Sequence, residues 1–159
     1  MVAKTPEESR IVGNFGEYVL AFYLAKKGIN VIRADTHFFD LIVKDTSGRV
    51  FKKNDIIGIS VKFRDRTLTT STCTIPYKEF ESVVKFGKKW KFEPYFCHII
   101  VSREEDQGIL EGFIFSRKSA KKYFAKRKRQ HAISFSKLRA DRSLTQSNRY
   151  FKWNLGKIH

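Results

Sequence analysis

"DIIGISVKFRDR", residues 55–66, decides how this chain is read. The run predicts a strand over 56–63. Side chains alternate along a strand, so Gly58, Ser60 and Lys62 share one face, and Ile57, Ile59, Val61 and Phe63 share the other. The second set is a plain core face. The first places a lysine in the middle of an apolar run, although lysine is rarely buried without a partner. Either Lys62 lies on a solvated face or an anionic group sits above it.

Working outward, "PEESRIVGNFGEYVLAFYLAKKG" (6–28) predicts a helix, with Thr5 as cap, Pro6 in its first position and Gly28 ending it. Strands follow over 30–35 and 38–45. "TSGR" (46–49) reads as a turn that returns the chain into 56–63, and the polar run 64–74 reads as a loop. A second helix is expected from about Ile75 to Trp90 with Thr74 as cap, then strands over 95–102 and 109–116 around a turn at 103–108. "RKSAKKYFAKRKRQ" (117–130) reads as a basic helix, "AISFS" as a strand, "KLRADRSL" as a helical turn and "YFKWNL" as a terminal strand. The order is that of a mixed α/β (α+β) domain, a central mixed sheet flanked by helices.

The 159 residues suffice for one domain, expected to span 1–159, with 117–159 as a basic C-terminal extension packed on the core. The net charge of +16 is unevenly spread. Residues 117–159 carry 14 Lys/Arg against the single acid Asp141, whereas 1–116 carry 18 against 15. Aromatics interleave the basic segment, which points to nucleic acid. No apolar run approaches the roughly 20 residues of a membrane span. Cys73 and Cys97 have no metal-like spacing, and the expectation is a soluble cytoplasmic protein without a membrane partner. No Gly-rich phosphate loop occurs, so a nucleotide cofactor is not expected. His98 reads as a satisfied core histidine, His131 and His159 as solvated, and His37 as lying near a strand start.

Three features carry chemistry in order: Glu17 on the first helix, Asp40 within the apolar "HFFDLIV", and "SVK" at 60–62. Taken singly, Asp40 also fits a solvated-face aspartate and Glu17 a surface glutamate. Together, with "KKGINVIR" leading from helix to strand, they resemble the PD-(D/E)xK nuclease superfamily, most closely archaeal Holliday-junction resolvases, over roughly residues 10–116. The resemblance implies a restriction-endonuclease-like core. It also implies an endonuclease that hydrolyses DNA phosphodiester bonds with Mg²⁺ (or Mn²⁺), extending to branched or structured DNA, and acts as a homodimer.

Two positions depart from the pattern. Phe39 stands for the proline before Asp40, and Ser60 stands for the acid that would help Asp40 hold the metal. In a subgroup of restriction enzymes within the superfamily that acid has moved to the following helix. Here the helix offers Glu79, inside the apolar arc of Tyr77, Phe80, Val83, Val84, Phe86 and Trp90, and Glu81 outside it. A third alternative is that nothing replaces the acid, leaving a decayed module that only binds nucleic acid. The implied site is Asp40, Lys62, Glu17 and Glu79, with Asp40 and Glu79 on the metal. Arg64, Arg66, Lys122, Lys126 and Arg129 are the expected nucleic-acid contacts.

Overall fold

In the computed structural model, residues 5–34, 36, 38–65, 72–104, 107–125 and 130–157 are described. Helix α1 (Pro6–Lys26) starts in a capping box: the Thr5 hydroxyl accepts the Glu8 N–H, and the Glu8 carboxylate accepts the Thr5 N–H at 2.7 Å. Strands β1 (Asn30–Arg33), β2 (Leu41–Lys44) and β3 (Ile56–Asp65) form an antiparallel meander. Its return loop is organised by Asp45. This fully buried carboxylate accepts N–H bonds from Ser47, Gly48, Val50 and Phe51 at 2.7–3.0 Å.

The chain then adds β4 (Thr72–Pro76), α2 (Tyr77–Trp90), β5 (Glu93–Glu104) and β6 (Gln107–Ser116). It closes with α3 (Arg117–Tyr123), β7 (Phe124–Ala125), β8 (Gln130–Ser134), α4 (Phe135–Ala140), α5 (Arg142–Thr145) and β9 (Tyr150–Lys157). The main sheet has the order β1-β2-β3-β5-β6-β9, with β3 and β5 parallel and the other pairs antiparallel. A β strand followed by a helix crossover brings β5 beside β3, so the lysine strand lies mid-sheet, held by β2 over Ile56–Ile59 and by β5 from Ile57 to Asp65.

The alternation read from 56–63 is the architecture. Ile57, Ile59, Val61 and Phe63 join the core under α1 with Leu20, Leu24 and Leu41. The opposite face holds Phe39, Phe96, Phe113 and Phe115, covered by α2 and by a second sheet of order β4-β8-β7. Gly58 belongs to this face, where a Cβ would come within 2.6 Å of the Phe39 ring.

Several expectations are corrected. Residues 72–76, read as loop and helix start, form β4, whose partner β8 lies more than fifty residues on. Helix α2 begins at Tyr77 behind Pro76 with no side-chain cap, so Thr74 does not cap it. The basic helix over 117–130 stops at Tyr123, because the chain turns into β7 to pair with β8 and the Tyr123 hydroxyl donates to Asp141 at 2.7 Å. Lys122 is on its last turn. Lys126, Arg129, Arg66, His37 and His159 lie outside the described residues. No described helix is long and apolar enough to cross a membrane.

Candidate active site

Asp40 lies just before β2 rather than inside a strand. The Thr36 side chain builds the turn that delivers it, accepting the Phe39 N–H and donating to the Phe39 carbonyl, both at 2.9 Å. Phe39 is fully buried over Gly58 and packs edgewise on Phe86, which pins the residue beside it. Asp40 then joins the sheet by its backbone, donating its N–H to the Ile59 carbonyl at 3.0 Å. Strand β3 outruns β2 here, and the Val61 N–H donates to Asp40 Oδ2 at 2.6 Å in place of a strand partner. The aspartate is therefore fixed by both its main chain and its side chain.

Burial is the first cause that pushes the Asp40 carboxyl up, to about 6. The Val61 bond opposes it, Glu17 repels, Lys62 attracts and Glu79 repels. All three side chains named in the sequence analysis thus act on Asp40 electrostatically. Glu17 arrives from the inner side of α1, where Arg33 grips it at 2.7 Å. Arg33 also stands over the Tyr18 ring at 4.5 Å and donates to its hydroxyl at 2.8 Å. Asp40, Glu17, Lys62 and Arg64 line one cleft of about 500 Å³ together with Ser9, Val12, Gly13, Val61 and Phe63. A smaller hollow of about 110 Å³ lies between Asp40, Glu17, Arg33 and Ala34.

The lysine of the opening strand has its anion. Lys62 Nζ meets Glu79 Oε1 at 2.5 Å, and both side chains keep about a quarter to a third of their surface in solvent (26 and 30 %). Glu79 sits in the first turn of α2, where a carboxylate also suits the helix dipole. Glu81 is exposed, and its charge acts on His131 instead. Trp90, placed in the apolar arc with Glu79, is 55 % exposed. Ser60 is buried.

His98 was expected to be a satisfied core histidine. It is core, with no exposed surface, but neither ring nitrogen has a hydrogen-bond partner among the described residues. It lies opposite Lys62 in the β3–β5 register. Burial, then the charges of Lys62 and Arg64, pull its pKa down to about 3, so the ring is neutral. One residue beside the site escaped the sequence reading: Arg33, whose signal is the basic end of "NVIR".

Among the described residues no group of three or more His, Cys, Asp or Glu side chains is arranged to hold a metal ion. The donors that remain fit a divalent ion of the magnesium kind, which takes one or two carboxylates and fills its shell with water and phosphate oxygens. Asp40 and Glu17 share a hollow, and Asp40 is held above its ordinary pKa, a condition a nearby cation relieves.

No protein-family model and no curated protein matches the sequence. Among solved structures, the chain is similar to that of Archaeoglobus fulgidus Hjc, a Holliday junction resolvase from an archaeal hyperthermophile. The similarity has a TM-score of 0.56 at 20% identity and covers 80% of this chain and 87% of the other. The two share a mixed α+β fold, built here on a six-stranded sheet. The likeness is one of fold.

Proposed function

We propose that the chain is a metal-dependent endonuclease that hydrolyses phosphodiester bonds in DNA, with branched DNA as the favoured substrate. One observation carries the reading. On a nuclease-like fold, a half-buried aspartate of raised pKa, a helix glutamate and a lysine meet at one cleft, and that lysine is ion-paired to Glu79. Asp40 and Glu17 would hold Mg²⁺ or Mn²⁺, which supplies charge neutralisation at phosphate and an activated water. Lys62 stands ready to stabilise charge developing on the phosphate, and its ion pair with Glu79 orients it. Glu79 has a second carboxylate oxygen to offer the metal, in the place of an acid at Ser60.

The substrate side rests on charge. Arg64 at the cleft and the exposed Lys121 and Lys122 of α3 supply phosphate contacts, and the +13 of residues 117–159 adds affinity without base reading. A four-way junction is two-fold symmetric, so this substrate asks for two copies of the chain.

Purified protein given linear, flapped and four-way DNA should cleave the branched forms with Mg²⁺ or Mn²⁺ and not with EDTA. Absence of cleavage with either ion sinks the enzyme reading. Ser60 and the closed Lys62–Glu79 pair favour the alternative in that event, a nuclease-fold module that only binds nucleic acid. Charge reversal at Lys121 and Lys122 should flatten the slope of log affinity against log salt by about 0.9 per lost phosphate contact.

A further inference from the structure

Helix α1 is apolar on two sides. Its inner side, with Gly16, Val19, Leu20, Tyr23 and Leu24, is buried on the sheet. Its outer side carries Ile11, Phe15, Tyr18 and Phe22, which are 59, 49, 57 and 56 % exposed. A helix that is hydrophobic all round belongs in an interior, and a contiguous apolar stripe in solvent marks a contact surface. Between Arg10 and Lys26 the one charged residue is Glu17, and it is turned to the cleft and to Arg33.

The spacing says what shape of surface fits. The four residues are four, three and four positions apart, and the next three-residue step lands on the exposed Ala25. Steps of four and three are the seam of a helix that packs along another helix. At about 100° per residue the four side chains stay within roughly 60° of arc.

The same helix supplies its own complement. Ile11 and Phe22, Phe15 and Tyr18, and Glu7 and Lys26 are placed symmetrically about the point between residues 16 and 17. Two α1 helices laid antiparallel about that point set Ile11 against Phe22, Phe15 against Tyr18 and Glu7 against Lys26. Glu8 is already engaged in the capping box, which leaves Glu7 for the ion pair. A parallel arrangement sets Glu7 against Glu7 and Lys26 against Lys26, which repel. Antiparallel pairing is also the isologous contact that a two-fold dimer requires.

We infer that the outer face of α1 binds α1 of a second copy of this chain, antiparallel, with a two-fold axis between residues 16 and 17. The inference names a surface for the pairing that the nuclease reading asks for. It is read from α1 alone, and its assay measures association rather than cleavage, so either can fail without the other.

Sedimentation equilibrium on the full chain tests it. The wild type should be a dimer at micromolar concentration. Ile11→Lys and Phe22→Glu should each raise the dimer Kd by about 100-fold, since each loses two apolar contacts across the axis. The combined variant should recover affinity, because position 11 of one copy faces position 22 of the other. Glu7→Lys and Lys26→Glu, both on the exposed surface, should each weaken the dimer by about 2- to 10-fold, and their combination should restore it. Mixing Ile11→Cys with Phe22→Cys protein should give the mixed disulfide dimer under mild oxidation, since Cys73 and Cys97 are buried. If the apolar variants fail to fold, the Glu7 and Lys26 swap decides the matter. Two results overturn the inference. One is a chain still monomeric at about 100 µM, where any dimer with a tighter Kd is largely assembled. The other is a dimer indifferent to all of these changes.

Discussion

Replacing Asp40 by asparagine should stabilise the protein at neutral pH while ending metal-dependent cleavage. Folding raises the Asp40 pKa from its ordinary 3.8 to about 6, chiefly by burial. A carboxyl whose pKa rises on folding binds its proton more tightly in the native state. Its ionised form therefore costs stability above pH 6. That cost fades as pH falls toward 4 and is gone below both values. At about 1.4 kcal/mol per pH unit of separation, the cost at pH 7 is about 3 kcal/mol. At pH 4.5 the native carboxyl is already protonated and the unfolded one mostly ionised, which leaves about 1 kcal/mol. The amide keeps the shape and can still accept the Val61 N–H, but carries no charge for burial, Glu17 or Glu79 to penalise.

Urea denaturation of wild type and Asp40→Asn at the two pH values measures the difference directly. The variant should be more stable by about 3 kcal/mol at pH 7 and by about 1 kcal/mol at pH 4.5. In heat the neutral-pH gain corresponds to about 6–12 °C in Tm for a chain of this size. Mn²⁺ should raise the Tm of the wild type and leave the variant unmoved, because a ligand stabilises only the state that binds it. A variant that is destabilised, or whose difference from wild type does not change between the two pH values, refutes the electrostatic reasoning. A gain in stability without loss of cleavage would instead remove Asp40 from the reaction.

The other predictions concern neighbouring groups. His98→Phe should remove a loss of stability in acid: the histidine pKa falls from 6.5 to about 3 on folding, so the wild type weakens as pH drops below 6.5, by about 2–3 kcal/mol at pH 4.5. Urea titration of both proteins across that range checks it, and parallel curves count against it. Asp45→Ala should cost about 3–5 kcal/mol, since it strips a buried carboxylate from four backbone N–H groups. Burial alone would raise the Asp45 pKa, but bonds from Phe51, Val50, Ser47 and Gly48 outweigh it and hold the carboxyl below the usual range. Its stabilisation is therefore present above about pH 4 and lost in stronger acid, a loss that the alanine variant should not show. Glu79→Gln should lower single-turnover cleavage by about 100-fold or more while leaving DNA affinity intact or improved, whereas Glu81→Gln should do little. Full activity in Glu79→Gln would detach the Lys62 pair from catalysis.

How far the sequence could be read follows from the range of the forces involved. The strand at 56–63 was legible because its alternation is local and both of its faces are specified, one by α1 and one by Phe39 and α2. Glu79 was legible for the same reason: helical periodicity put an acid on the side of α2 that faces the sheet, and Lys62 is what it meets there. The second sheet was not legible. "TCTIP" has alternating polar threonines and a proline, and it becomes a strand only because β8 pairs with it from across the chain. The same long-range pairing ends the basic helix at Tyr123, where Phe124 stacks on His131 of β8 with ring centroids 3.8 Å apart. Local composition favours a continuing helix, and tertiary pairing overrides it.

The site shows the same division between what is local and what is not. The order of Glu17, Asp40 and Lys62 along the chain was visible, but the reason the Asp40 pKa is raised was not. Its position depends on a turn closed by the Thr36 hydroxyl and on Phe39 filling the space over Gly58. Phe39, one of the two departures from the family pattern, supplies rigidity by packing where the pattern has a proline. A side chain on the floor of the site thus reaches the opposite core, where Phe86 and Phe92 hold it. His98 beneath Lys62 belongs to that same core and adds no charge to it, because a neutral imidazole is the form that burial beside two cations selects. Among the described residues, the positive charge lining the cleft and the hollow beside it is therefore that of Lys62, Arg64 and Arg33. Of these Lys62 and Arg33 are each tied to a carboxylate, at Glu79 and Glu17. Among the described residues, carboxylates and cations locked in pairs surround a half-buried aspartate that has no salt bridge, which leaves Asp40 as the group whose charge an incoming metal ion would neutralise.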